Sequence, residues 1–333
     1  QEIRLITLDP AHFHAALVQK EMYAGVSPIV SVYAPLGLDL TEHLTRVARF
    51  NLRPENPTSW QLHIHTGPDS LAQMLRDAQP AGAVVLSGRN RAKIERIEQS
   101  VARGLHVLAD KPWILRSQDL PRVAASLDAA DKAGLIAYDM MTERFEITSI
   151  LHRELVNTPE VFGTLEKGTP TEPAIDMDSM HRLLKTVAGV PMLRPVEFFD
   201  VEEQGEGLND VGTHLVDLVQ WIAFPDTALD YRTDIEMLAA RRWPTILNPQ
   251  QWNQVTAGAS PRTEDFQYYG NNFVSYSLRG VHIHMNVRWD LEGISDTYVA
   301  RFRGTKSTIE LRQGEPEKFR PELYIVPHTP DVR

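Results

Sequence analysis

The chain of 333 residues carries 34 Lys and Arg against 44 Asp and Glu, a formal net charge of -10, with 42% hydrophobic and 23% charged residues. That length suffices for two domains with a core each, and an acidic chain without a basic block excludes nucleic acid and anionic membrane surfaces as partners, favouring small neutral or cationic ligands. The lack of cysteine excludes disulfides, thiolate metal sites and cysteine nucleophiles, and no apolar run reaches the roughly 18 residues of a membrane span.

Residues 3–8 form an apolar run of strand length, and Asp9-Pro10 leads into 11–22, whose spacing predicts a helix. A second strand is expected at 29–34, a polar helix around 41–50, and a Pro- and Asn-rich inserted loop over 51–60. The alternation continues with strands at 62–65, 83–87, 105–108 and 135–138 and helices at 69–77, 91–103 and 117–133. Strands alternating with helices of this length make parallel β-α-β units, so residues 1–140 read as one doubly wound domain. The chain opens at Gln1 and enters a strand within two residues. This start predicts removal of an upstream leader or tag and an exported, periplasmic location, with the cytoplasm as the alternative.

The pattern changes after Met140. A helix is predicted over 143–156, a strand over 161–167 and a second helix over 211–222, followed by period-two runs at 273–278, 281–289, 298–303 and 307–311. Short turns such as Arg279-Gly280 join these runs as antiparallel hairpins. Residues 141–333 therefore read as an α+β domain with a large, mainly antiparallel sheet.

Three stretches could carry chemistry. The first is Leu105-His106-Val107-Leu108-Ala109-Asp110-Lys111-Pro112-Trp113, a buried strand that delivers Lys111 at the carboxyl end of a parallel sheet, where open α/β sheets bind their ligands. The second is the turn Asp9-Pro10-Ala11-His12-Phe13-His14 after the first strand, the place where a dinucleotide pyrophosphate docks on a helix N-terminus. It lacks G-x-G-x-x-G, so an ordinary capped helix is the plainer alternative, and the i, i+2 spacing of His12 and His14 sends their rings in different directions, so no metal is expected. The third is the helix with Asp210, His214 and Asp217 at i, i+4 and i+7, an ionisable stripe on an otherwise apolar element. A histidine so placed suits proton transfer to and from a hydroxyl, with a structural Asp-His pair as the alternative.

Taken together, Asp110-Lys111-Pro112 and the Asp-x-Gly-x-His-x-x-Asp helix resemble the Gfo/Idh/MocA family, which groups glucose-fructose oxidoreductase and inositol dehydrogenase. The phrases Ile6-Thr7-Leu8-Asp9-Pro10-Ala11-His12-Phe13-His14 and Phe162-Gly163-Thr164-Leu165-Glu166-Lys167-Gly168-Thr169-Pro170 are similar to a bacterial subgroup with the "putative oxidoreductase C-terminal" domain. The resemblance spans essentially the whole chain. It implies a Rossmann-like N-terminal domain holding NAD, with NADP open, and a second domain that binds a carbohydrate and assembles a homodimer or homotetramer. It further implies that Lys111 sits beside nicotinamide and substrate, that Asp210 and His214 are the family's catalytic pair, and that Glu143 and Arg144, in the crossover segment, reach the substrate. Asp9, Pro10, Ala11, His12, Phe13, Ser87, Asn90 and Asp110 become cofactor-binding candidates with Lys111, and Arg89 a weaker one. The second strand ends Val32-Tyr33-Ala34-Pro35 without an acid for a ribose or an arginine for a 2′-phosphate.

The expected activity is hydride transfer between the nicotinamide and a hydroxyl carbon of a sugar, glycoside or polyol. His214 takes the hydroxyl proton, Lys111 polarises the oxygen, Asp210 sets the tautomer of His214, and Asp217 helps from behind. The roles of Lys111 and His214 are exchangeable. Two alternatives use the same residues: a glycosidase acting by transient oxidation, elimination and reduction, and a non-catalytic sugar-binding protein. His282 and His284 share one strand face, and Trp243, Trp252, Tyr268, Tyr269 and Trp289 enrich the second domain in rings. These are expected to be sheet, core or interface residues rather than ligands.

Overall fold

The computed structural model describes residues 2–187, 190–192, 194–291 and 293–329. The chain divides into two units, 1–140 with 202–204 and 141–201 with 205–333.

In the first unit β1 (Leu5–Leu8), β2 (Ile29–Ala34), β3 (Gln61–Thr66), β4 (Ala83–Leu86), β5 (His106–Ala109) and β6 (Ala137–Asp139) form one parallel sheet in the order β3-β2-β1-β4-β5-β6. Alternate residues of each strand serve opposite layers. Ile6, Leu8, Val84, Leu86 and Val107 pack with Met74 of α3 (Ser70–Asp77), Ile94 and Ile97 of α4 (Asn90–Ala102) and Ala130 of α5 (Leu120–Lys132). Leu5, Val30, Val32 and Ala34 pack with Ala16 of α1 (His14–Leu17) and Leu40 and Val47 of α2 (Leu38–Leu52). The sheet reverses its winding between β1 and β4, which makes the carboxyl ends of β1, β4 and β5 the ligand-binding edge of such a fold.

The helix expected over 11–22 is cut to the four residues of α1. The carbonyls that would carry it further are taken by loop groups: Trp60 Nε1 donates to Gln19 O at 2.8 Å and Arg53 Nη2 to Lys20 O at 2.7 Å. Conversely, α2 extends beyond 41–50 at both ends and shortens the inserted loop.

In the second unit a seven-stranded sheet runs β10-β11-β12-β7-β13-β14-β15, from β7 (Ile175–Arg182), β10 (Ile235–Leu247), β11 (Phe266–Leu278), β12 (Val281–Asp290), β13 (Thr297–Arg303), β14 (Ser307–Gln313) and β15 (Glu322–Pro327). Only β12 and β7 pair in parallel. A separate hairpin joins β8 (Lys185–Val187) to β9 (Val190–Met192). Its helices are α6 (Ile147–Val156), α8 (Thr213–Ala223) and α9 (Pro249–Val255), while Glu202–Gln204 of α7 (Val201–Gln204) belong to the first unit. The core sets Leu215, Leu218, Val219 and Ile222 of α8 among Ile175, Met177, Ile283, Met285 and Phe302 of the sheet.

The Arg279-Gly280 hairpin forms as expected, with both residues at positive φ of 51° and 78°. Besides the short pair β8 and β9, three strands of the seven-stranded sheet did not declare themselves. β7 alternates, but its outward positions are acids, Asp176 and Asp178. β10 contains Pro244, tolerated at a sheet edge, where the register slips between Trp243 and Thr245. β15 closes the opposite edge with few apolar positions. The strand expected over 161–167 does not form. Gly163 and Gly168 at φ 79° and 65° turn the chain, leaving a single bridge from Leu165 to Gly304.

His152 of α6 is buried edge-on against Phe302 at 4.6 Å, its Nε2 has no hydrogen-bond partner among the described residues, and burial pushes its pKa down to about 3. Folded and unfolded chains both hold it neutral above pH 6.5, but below that the unfolded chain takes the proton first. Stability is therefore lost as pH falls from 6.5 towards 3, by about 2 kcal/mol per such histidine at pH 5. His152→Leu is expected to shrink the fall in urea-unfolding free energy between pH 7 and pH 5 by about that amount; an unchanged fall would remove His152 as its cause.

Candidate active site

Asp110, directly after β5, is the hub of the first unit's ligand-binding edge. Its Oδ1 accepts from the Gly88 backbone N–H at 3.1 Å and from Lys93 Nζ, and its Oδ2 accepts from Ser87 Oγ at 3.0 Å and lies 3.2 Å from His14 Nδ1. The Lys93 ammonium, wholly buried, also donates to Asn90 Oδ1 at 2.8 Å and to the Asp110 carbonyl at 3.0 Å. Burial alone would raise the Asp110 carboxyl, but Lys93, with His12 and His14, holds it well below the usual carboxylate range. Asp110 is thus committed to groups of its own chain, and its effect on a ligand is to fix Lys111, the next residue. Trp113 Nε1 braces the exit by donating to the Ala109 carbonyl at 3.2 Å.

The turn after β1 keeps a glycine-like backbone without glycine. Asp9 has φ 45°, the left-handed region that Asp tolerates better than most residues. Its Oδ2 accepts from Arg96 Nη2 at 2.9 Å and Arg89 Nε at 3.3 Å, and Arg89 Nη2 also donates to Asp39 Oδ2 at 2.6 Å. Across from it Gly88, at φ 81°, comes so close that a Cβ there would stand 2.7 Å from that of Ala11, while the Ala11 N–H donates to the Ser87 carbonyl at 2.9 Å. The turns after β1 and β4 therefore abut. α1 is too short to offer a helix N-terminus, and the two arginines gathered on Asp9, matched in charge by Asp9 and Asp39, bring guanidinium donors to the turn in its place. A left-handed turn, a close backbone approach and partly exposed guanidinium groups fit a dinucleotide pyrophosphate.

One expectation is overturned here. His12 and His14 do not diverge: both Nδ1 atoms converge on Asp110 Oδ2, at 3.3 and 3.2 Å, with the rings edge-to-face at 4.2 Å. Because α1 starts only at His14, His12 belongs to the turn, and helical spacing does not apply to the pair. Burial and the neighbouring His14 lower the pKa of His12 to about 4. Asn90 is likewise engaged, donating from Nδ2 to the Gln204 carbonyl at 2.8 Å while Oδ1 holds Lys93. Pro10 and Phe13 complete the turn, and Phe13 packs against His12 at 4.3 Å.

In the second unit, Asp210 lies not on a regular α-helix but in a π-turn, Leu208–Gly212, which precedes α8. Such a wide turn is frequent at functional sites and changes the angular offset between Asp210 and His214 from the α-helical value assumed in the i, i+4 argument. The turn is pinned to the sheet: the Leu208 N–H donates to Asn272 Oδ1 at 2.9 Å, and a Cβ on Gly207 would stand 1.8 Å from the Gly270 carbonyl oxygen. Asp210 is buried and sits in the electrostatic field of Arg194, Tyr268 and His181. His214 follows on the first turn of α8.

Arg144 and Asp217, expected at the substrate and behind His214, instead hold each other. Arg144 Nε donates to Asp217 Oδ2 at 2.7 Å and Nη2 to Oδ1, a two-pronged pair that ties the turn Thr142–Phe145 to α8. Glu143 in the same turn helps to raise the pKa of Tyr298, after burial. His284 Nε2 lies 3.0 Å from the Pro170 carbonyl and its ring packs on Phe273, while Trp252, Tyr268 and Trp289 are core residues.

Sequence reasoning passed over Lys93, Arg96, Arg194 and the His181–Asp296 pair. Lys93 left a signal: it occupies the stripe Asn90, Lys93, Ile94, Ile97, Val101 that α4 buries. Arg194 left none, since it falls in no motif and on no periodic stripe of the sequence.

Residues 151–332 match the family model described as "Putative oxidoreductase C terminal domain". A putative oxidoreductase from Parabacteroides merdae is 42% identical over 99% of this chain and 77% of its own, with a TM-score of 0.91. The WlbA dehydrogenase of Bordetella pertussis, solved with NADH and UDP-GlcNAcA, superposes with a TM-score of 0.62 at 16% identity over 100% of this chain and 84% of its own. KijD10, a 3-ketoreductase of Actinomadura kijaniata solved with NADP and TDP-benzene, gives 0.57 at 15% over 98% and 85%. The last two share the fold. No curated protein matches the chain.

Proposed function

Because the chain belongs to the oxidoreductase family with this C-terminal domain, of the Gfo/Idh/MocA type, we propose that it transfers hydride between NAD and a hydroxyl-bearing carbon of a sugar, glycoside or polyol. The observation that carries this reading is the hub at Asp110, which holds Lys111 in place at the ligand-binding edge of a sheet with dinucleotide-binding strand order. The nucleotide and sugar-nucleotide ligands of the fold relatives support it.

In this reading the backbone N–H groups of His12 and Phe13 would hold the pyrophosphate, Asp9, Pro10 and Ala11 would shape the turn, whose other N–H groups are already bonded within the chain, and Arg89 and Arg96 would add donors. When bound, the nicotinamide supplies the two-electron acceptor. His214 takes the hydroxyl proton as the C–H bond gives up its hydride, Asp210 orients His214, and the Lys111 ammonium stabilises the negative charge developing on oxygen. In the reverse direction His214 returns the proton to the carbonyl oxygen. Ser87 and Asn90 act by holding the loop after β4 to Asp110 and Lys93.

The test is mass spectrometry of small molecules released from purified protein, followed by titration with NADH and NADPH and product analysis with a panel of glycosides. Retained NAD(H) and a keto-sugar product are expected. Failure of either dinucleotide to bind would defeat the proposal, and a hydrolysed glycoside with no net change in NAD would transfer the site to oxidative glycosidase chemistry.

A further inference from the structure

Arg194 stands where an arginine is costly to keep. It is 7% exposed, its backbone N–H is fixed to the Val255 carbonyl at 3.0 Å, and its guanidinium lies over the rings of Phe198 at 4.5 Å and Trp289 at 5.1 Å. Among the described residues neither its Nε nor its Nη2 has a hydrogen-bond partner. The indole Nε1 of Trp289, itself 4% exposed, also lacks one. A guanidinium cannot shed its proton to escape burial, so unpaired donors on it are an unmet demand for an acceptor.

The three orphan groups are all N–H donors, so the missing partner brings oxygens without protons. Nε and Nη2 form the edge of the guanidinium that grips a carboxylate with two parallel bonds. The surrounding charges narrow the choice. Asp210 and Asp296 both act on Arg194, and Asp296 is already held by Lys185 Nζ at 2.5 Å and by His181 Nδ1 at 3.2 Å. Both carboxylates repel any incoming anion, and they oppose a monoanion less than a phosphate dianion. Neutral hydroxyls bring protons of their own and no charge to match a buried cation.

We propose that Arg194 and the Trp289 indole form a subsite for the carboxylate of an acidic sugar, so that the substrate is of the uronate class and is read by the same unit that carries Asp210 and His214. This rests on the reading of those two residues as groups acting on a sugar hydroxyl. Arg194 sets specificity, and proton transfer stays with His214.

Isothermal titration of the protein as purified with methyl β-D-glucuronide and methyl β-D-glucoside, which differ only at the carboxylate, tests the subsite without turnover. The glucuronide is expected to bind about 10- to 100-fold more tightly. Arg194→Met is expected to reduce that preference to about twofold or less, Arg194→Lys to leave part of it, and Trp289→Phe to weaken glucuronide binding about fivefold. Equal binding of the two glycosides, binding of neither, or a preference that survives loss of the guanidinium overturns the proposal. If Arg194→Met fails to fold by circular dichroism, Arg194→Lys decides, since it keeps the charge and loses the fork. Preferential binding without hydride transfer would defeat only the reading of function, and oxidation of neutral sugars without the preference would defeat only this one.

Discussion

Asp110→Asn is expected to lower the unfolding free energy by about 3–5 kcal/mol, because it strips the Lys93 ammonium of its carboxylate at a site that no water reaches. The amide is the same size and can still accept from the Gly88 N–H, so the loss reports the charge and not a cavity. A second variant separates the two effects. Lys93→Met with Asp110→Leu removes both ions, and its cost should fall well short of the sum of the single replacements, because an ion pair exchanged whole for apolar groups leaves no stranded charge. Urea unfolding at constant m-value measures both. A loss below about 1 kcal/mol for Asp110→Asn would mean that the hub holds little of the fold together.

Lys111→Met and His214→Ala are each expected to reduce single-turnover reduction of the bound nicotinamide at least about 100-fold while the protein still unfolds cooperatively. Lys111 has its direction set by Asp110 from within the first unit, and His214 has its place set by the π-turn from within the second. The two losses arise from different roles. Replacing Lys111 removes charge stabilisation, a loss that should hold wherever the wild-type ammonium is charged, whereas the loss on replacing the proton acceptor should be offset in part as hydroxide rises. Near-normal turnover in either variant would dismiss that residue from the chemistry, and loss of NADH affinity alone would move Lys111 to cofactor binding.

The first unit was legible because a parallel sheet is buried on both faces. Its inner strands, such as Ala83–Leu86, are short continuous apolar runs, while β3 at the edge alternates polar and apolar residues and is largely exposed. The second unit was less so, since its antiparallel sheet carries salt-bridged acids and arginines on one face: Asp176 with Arg301 and Asp178 with Arg288. The Asp, Lys and His of the site could be found because motif spacing marks them. The convergence of His12 and His14 could not, because it depends on where α1 begins, and before that start Ser87, distant in sequence, binds the turn at the Ala11 N–H and the His12 carbonyl. Lys93 was visible only to a reader asking why a lysine shares an apolar stripe.

The Asp110 hub joins chain segments far apart in sequence: Lys93 lies 17 residues away, Ser87 23 and His14 96. Its bonds cannot close until β1, β4 and β5 are already side by side, since the loops between them must first give up their freedom. The hub is therefore a late event on the folding route. Its removal should leave the folding rate nearly untouched and act on the lifetime of the finished molecule, raising only the unfolding limb of the chevron without changing its slope.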